Sequence, residues 1–102
     1  MDKKVNQLKE LFLRANPVTT DPTGQEFRIV LGFDVKISTD TPTRENEISF
    51  DSVRDAVDTI FKAEYLTNKS KTDTEKEFIE ICQNSNIDPE KNVTIHFLLS
   101  GL

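Results

Sequence analysis

The chain has 102 residues, of which 30% are charged and 35% hydrophobic, and its formal net charge is −5. This length predicts one domain with a single core, and no apolar run approaches the roughly 18 residues that span a membrane. The acidic balance argues against direct binding to nucleic acid or to an anionic membrane, since both need a cationic surface. One cysteine cannot form an internal disulfide, and a charged N-terminus does not fit a secretory signal, so we expect a cytoplasmic protein.

The first predicted element is an amphipathic helix from about Asp2 to Ala15, because apolar residues recur there at intervals of three and four. It should end before Pro17, since proline cannot donate a backbone hydrogen bond. Asp21 to Gly24 has the composition of a tight turn. We therefore expect Val18–Thr20 to fold back as a short strand onto the start of the next one.

The strongest signal in the sequence is a predicted strand from Phe27 to Ile37, in which every second residue is apolar. Such alternation gives a strand one apolar and one mostly polar face. Gly32 at its midpoint should mark a bend or bulge. A shorter strand over Glu47–Phe50 follows a polar loop, and the two strands are expected to form an antiparallel hairpin with a mobile tip.

Two more helices and a last strand complete the chain. Ser52 and Asp55 resemble a capping box, which predicts a helix to about Tyr65 or Leu66. A third helix, capped by Thr72 or Asp73, should turn Phe78, Ile79 and Cys82 inward and unwind at Asn84–Asn86. Alternation then returns in the last strand, Val93–Leu99.

The order α-β-β-α-α-β, with one apolar face on every element, predicts an α+β domain. We expect an antiparallel sheet of three or four strands with about three helices packed mainly on one face. The last strand should pair with the long strand, on the side away from the hairpin partner of that strand.

The chemistry-bearing residues are sparse. Cys82 and His96 are the only thiol and the only imidazole, and a pair of them could act as nucleophile and base. Cys82, however, should lie in the core, whereas His96 should point from the other face of the sheet. No metal-ligand spacing and no phosphate-binding loop is present, so no catalytic residue, metal or cofactor is expected.

Two surfaces are candidates for a partner. The first is an acidic helix face, formed by Glu47, Asp51, Asp55 and Asp58. It could bind a basic protein surface, although such charges more often only face solvent. The second is the open face of the sheet, on the side away from the helices. Its expected members are Arg28, Val30, Asp34, Lys36, His96 and Leu98.

The sequence is acidic and lacks a catalytic constellation, which favours a small cytoplasmic interaction protein, such as an inhibitor, an immunity-type protein or a regulatory subunit. It would bind another protein without catalysis. Two alternatives remain open: a small enzyme or small-molecule binder with a pocket between sheet and helices, and a homo-oligomer that associates through the open sheet face. No motif is specific enough to name a family.

Overall fold

A computed structural model of the chain describes residues 3–15, 18–20, 22–24, 26–28, 33–63 and 69–99. The described residues form an α+β fold in which helices pack against an antiparallel sheet, as predicted. The helices are α1 (Lys3–Ala15), α2 (Val53–Lys62) and α3 (Lys71–Asn84). The strands are β1 (Val18–Thr20), β2 (Glu26–Arg28), β3 (Phe33–Ser38), β4 (Glu47–Phe50) and β5 (Val93–Leu99).

The main sheet has three strands in the order β3-β5-β4, and β5 is antiparallel to both neighbours. The predicted hairpin between β3 and β4 is therefore wrong, because β5 lies between them. Alternation shows which face of a strand is apolar, but it carries no information about which neighbour the strand pairs with. The pairing of β5 with β3 is as expected, with Ile37 opposite Ile95, but the predicted position of β5 away from β4 is wrong, since it pairs with both strands.

The long alternating stretch contributes to two sheets. Its first residues form β2, which pairs with β1 so that Val18 lies opposite Arg28, as the turn at Asp21 to Gly24 predicted. Its last residues form β3 of the main sheet. The bend expected at Gly32 lies outside the described residues.

The core lies between the main sheet and the helices. Phe12 of α1 meets Phe97 of β5 edge to face, with ring centroids 6.0 Å apart and planes at 81°. This geometry is the favoured one for aromatic pairs. The buried apolar residues come from all three helices and from each strand of the main sheet: Leu8, Leu11, Phe12, Ile37, Ile48, Phe50, Val53, Ala56, Val57, Ile60, Ala63, Phe78, Cys82, Val93, Ile95 and Phe97.

Side-chain caps set the start of both later helices. The Ser52 hydroxyl accepts a hydrogen bond from the Asp55 amide at 3.1 Å, so the predicted cap of α2 is confirmed. The predicted cap of α3 at Thr72 or Asp73 is wrong: Ser70 is the cap, and it accepts from the Asp73 amide at 3.1 Å. Thr72 and Asp73 belong to the first turn, where Asp73 is the residue whose amide the cap satisfies.

The predicted end of α2 at Tyr65 or Leu66 is wrong: the helix ends at Lys62, and Ala63 is its C-cap. Helix α3 ends at Asn84, as expected, and Asn86 adopts φ +57°. The Ile87 amide donates to the Cys82 carbonyl at 2.8 Å, and the Asn86 amide to the Gln83 carbonyl at 3.3 Å, which together form a Schellman motif. Within the described residues, none of the helices has both the length and the apolar composition needed to cross a membrane.

Candidate functional site

The four residues of the acidic helix face lie on β4, just before α2 and within α2, and most have partners within the chain. An oxygen of Asp55 accepts a hydrogen bond from the Asp51 amide at 3.2 Å, so this carboxylate helps to hold the entry into the helix. Glu47 lies on β4 and accepts from the Thr43 hydroxyl at 3.1 Å. Asp58 forms an ion pair with Lys71. Asp51 is exposed.

Ion pairs join α2 to α3 across their solvent side. A hydrogen bond from Lys71, together with its charge, holds the pKa of the Asp58 carboxyl below its ordinary value. Arg54 of α2 contacts Glu75 of α3 at 3.2 Å. Of the four predicted acidic residues, Asp58 therefore also joins the two helices. Each of these exposed ion pairs contributes roughly 0.2–1 kcal/mol.

The register of the main sheet defines its second face. His96 of β5 lies between Lys36 of β3 and Glu47 of β4, so one row of the face has charges of opposite sign at its two edges. In the next row, Leu98 lies opposite Asp34. Because side chains alternate along a strand, these five residues point away from the core that Ile95 and its neighbours fill. Four of the six predicted members of the open face are thus brought together.

The other two predicted members, Arg28 and Val30, cannot be added to this face. Arg28 lies in β2 of the separate two-stranded sheet, and Val30 lies outside the described residues. The prediction placed all even-numbered residues of this eleven-residue stretch on one face because it assumed one strand in one sheet.

Part of the second face is covered by the loop between β3 and β4. The Thr94 hydroxyl donates a hydrogen bond to the Asp40 carbonyl of this loop, and Thr94 is only 4% exposed. The loop reaches β4 at Asn46, where the Phe97 amide donates to the Asn46 carbonyl at 2.9 Å and the Asn46 amide group donates to the Phe97 carbonyl at 3.0 Å. The segment predicted to be a mobile hairpin tip is instead a crossover bonded to β5.

What stays accessible is the sheet face beyond this loop, which we call the Leu98 patch: Asp34, Lys36, His96 and Leu98. Asp34 and Lys36 are exposed and His96 is half-buried. Leu98 is 38% exposed and is the one large hydrophobic side chain that is exposed among those the structure describes. It lies on the central strand, so its exposure means that no described element covers this part of the sheet.

Cys82 and His96 are not arranged as a catalytic pair. Cys82 is fully buried among the core residues, whereas His96 occupies the face that alternates away from that core. Burial raises the pKa of the Cys82 thiol, and the Asp88 carboxylate raises it further. A thiol in this state is a poor nucleophile, because the thiolate is the reactive species.

The structure also contains two shallow grooves that the sequence did not indicate. One, of about 260 Å³, lies between the start of α2, the middle of α3 and the turn after α3; its lining includes Val53, Arg54, Glu75, Ile79, Pro89 and Glu90. We call it the α2 groove. The other, of about 240 Å³, lies between the β3–β4 loop, the start of β5 and Ser49 of β4. Residues this far apart in sequence meet only after folding, which is why no local pattern revealed them.

Neither groove is built like a metal centre or a typical ligand pocket. Small-molecule sites usually measure about 300–1,000 Å³, and both grooves fall below that range. In the part of the chain that the structure describes, no group of three or more His, Cys, Asp or Glu side chains is placed to hold a metal ion. Comparison with protein-family models, with curated proteins and with solved structures finds no match for this chain.

Proposed function

We propose that this chain is a small acidic interaction protein that binds a protein partner through the Leu98 patch, without catalysis. The observation that carries the proposal is the exposure of Leu98 on the central strand of a sheet face that no described helix covers. Single exposed leucines are common. An exposed leucine on the central strand with charged residues of both signs nearby, however, matches the apolar centre and polar rim of protein interfaces.

The charges around Leu98 set the chemistry of the partner. Asp34 lies directly opposite Leu98, and Lys36 lies in the adjoining row beside His96. A partner that places an apolar side chain on Leu98 would therefore need charges of both signs at its rim. The net charge of −5 favours a partner with a basic surface, because long-range attraction speeds the encounter. We propose the cytoplasm as the place of this interaction.

The test is capture of a partner by two matched variants. Leu98→Arg places a charge at the centre of the patch, whereas Gln83→Arg adds the same residue at an exposed position of α3. The wild type and Gln83→Arg should retain the same partner in pull-downs identified by mass spectrometry, and Leu98→Arg should lose it. A partner retained equally by all three proteins would exclude the Leu98 patch, and so would the absence of any specific partner.

A second copy of the chain is the alternative occupant of the same face. Light scattering over a range of concentrations distinguishes it. A monomer at every concentration supports a different protein as the partner, whereas a dimer that Leu98→Arg dissociates and Gln83→Arg does not would replace our proposal with self-association.

A further inference from the structure

We propose that the α2 groove binds a lysine or arginine side chain of a protein partner. The groove lies in the helix layer, on the other side of the sheet from the Leu98 patch. The inference therefore goes beyond the proposed function, and neither depends on the other.

The shape and lining of the groove suit one long side chain with an aliphatic stem. Its volume of about 260 Å³ is too small for most small-molecule ligands, but it is large enough for one long side chain. Val53 is buried at the base, and Ile79 and Pro89 are half-buried beside it. These apolar groups suit the aliphatic stem of a lysine or arginine, which such residues lay along apolar surfaces while the charged group stays at the rim.

The charges that line the groove are complementary to a cationic side chain. Two carboxylates, Glu75 and Glu90, line the groove against one cation, Arg54. Arg54 and Glu75 form an ion pair at 3.2 Å, so their charges offset each other, and the Glu90 carboxylate gives the lining its net negative charge. Asp51 and Asp55 lie next to Ser52 at the same end of α2 and add negative charge.

An anion fits the groove less well than a cation does. The start of a helix attracts anions because its first amides lack partners. Two of these amides already have acceptors. The Val53 amide donates to the Pro89 carbonyl at 2.9 Å. The Asp55 amide donates to the Ser52 hydroxyl. The carboxylates, rather than the helix end, therefore determine the sign of the charge that fits.

The bond between Val53 and Pro89 also fixes the groove in shape. It joins the turn after α3 to the first residue of α2, so the two walls are held together in the free protein. A site formed before binding loses less conformational entropy when it is occupied.

The experiment uses three capped pentapeptides of the form Gly-Gly-X-Gly-Gly, in which X is arginine, citrulline or norleucine. Each is titrated into the ¹⁵N-labelled full chain. Arginine should shift the amide resonances of Arg54, Ile79 and Glu90 with a dissociation constant in the millimolar range. Citrulline has nearly the same shape without the charge, and norleucine has only the stem, so both should bind more weakly.

Two charge variants make the test specific. Glu90→Gln should weaken binding of the arginine peptide about two- to fivefold, as expected for one exposed ion pair. Glu80→Gln removes the same charge from an exposed position of α3 outside the groove and should leave binding unchanged. The amide spectrum of each variant shows whether it is folded, and Glu75→Gln replaces Glu90→Gln if that variant is not.

Several results would overturn the proposal. They are equal binding of the citrulline or norleucine peptide, shifts confined to residues outside the groove, equal weakening by Glu80→Gln, and no shift with the arginine peptide at millimolar concentrations.

Discussion

Side chains alternate between the two faces of β5, but the two faces differ in how far they are buried. Val93, Ile95 and Phe97 point into the core and are at most 1% exposed. On the other face, the environment changes along the strand, since Thr94 is covered by a loop, His96 is half-buried and Leu98 is exposed. Helices cover one face along its whole described length, whereas the other is covered only where the β3–β4 loop crosses it. Burial on the first face therefore stabilises the fold, whereas the second face offers accessible surface.

The sharpest test of this contrast uses neighbouring residues. Phe97→Ala should lower the free energy of unfolding by about 3–5 kcal/mol, because it leaves a cavity beside Phe12. Leu98→Ala should change it by no more than about 0.5 kcal/mol, since the side chain gains little from burial. Urea denaturation of both variants measures the difference. Similar losses for the two would mean that Leu98 is covered and that the second face is not open.

The helix layer that covers the first face depends on its caps. Ser70→Ala should lower the free energy of unfolding by about 1 kcal/mol, because the Asp73 amide loses its acceptor. Thr72→Ala is the matched control, and it should be close to neutral, since Thr72 is exposed in the first turn. If Thr72→Ala lowered the free energy of unfolding more than Ser70→Ala, Thr72 would be the cap of α3, as the sequence suggested.

The boundary between covered and open surface on the second face lies at Thr94. Thr94→Val keeps the shape of the side chain and removes the donor to the Asp40 carbonyl, at an expected loss of about 1 kcal/mol. Hydrogen exchange of the loop amides from 39 to 46 should also become faster. Thr94→Ser retains the hydroxyl and should keep the slow exchange. Unchanged exchange in Thr94→Val would show that this hydrogen bond does not hold the loop.

The smallest effect is expected at the ion pair between α2 and α3. The pKa of Asp58 is lowered in the folded chain, so the unfolded state binds more protons as pH falls. The contribution of the pair is complete above the ordinary carboxyl pKa and is lost as the pH falls through the lowered value. Asp58→Asn should therefore lower the free energy of unfolding by about 0.5 kcal/mol at pH 7.

The same variant should approach the wild type in acid, below pH 3.8, the ordinary carboxyl value. Urea midpoints at both pH values measure this convergence. Lys71→Met, alone and combined with Asp58→Asn, is the control that isolates the pair. A difference that persists unchanged in acid would assign the effect to the helix backbone rather than to the charge.

Local patterns were sufficient for most individual elements. The apolar spacing in α1 predicted its span to within one residue at the start, and Ser52 identified the cap of α2 because capping depends only on residues three apart. Ser70 was missed at the start of α3 because Ser70, Thr72 and Asp73 are all good caps. Packing of Thr74 and Phe78 against the core selects among them, and that packing is not local.

The candidate surfaces were predicted less completely. Asp34, Lys36, His96 and Leu98 could be assigned to one face from alternation alone, because neighbouring strands share the pleat of the sheet. Arg28 could not be placed, since nothing in the stretch from Phe27 to Ile37 indicates that its ends belong to different sheets. The α2 wall of the groove lies more than twenty residues before the walls from α3 and the turn after it, so no periodicity could reveal the groove.

The amino-acid sequence by itself determined which segments are helices or strands, which face of each is apolar, and that these faces form one α+β core. These properties depend on side-chain spacing along a single element. Only the tertiary structure decided that β5 lies between β3 and β4, that a loop covers Thr94 but not Leu98, and that Glu75 and Glu90 share a groove. Those features depend on which elements contact each other. A strand with one apolar face can bury that face equally well beside any of several neighbouring strands.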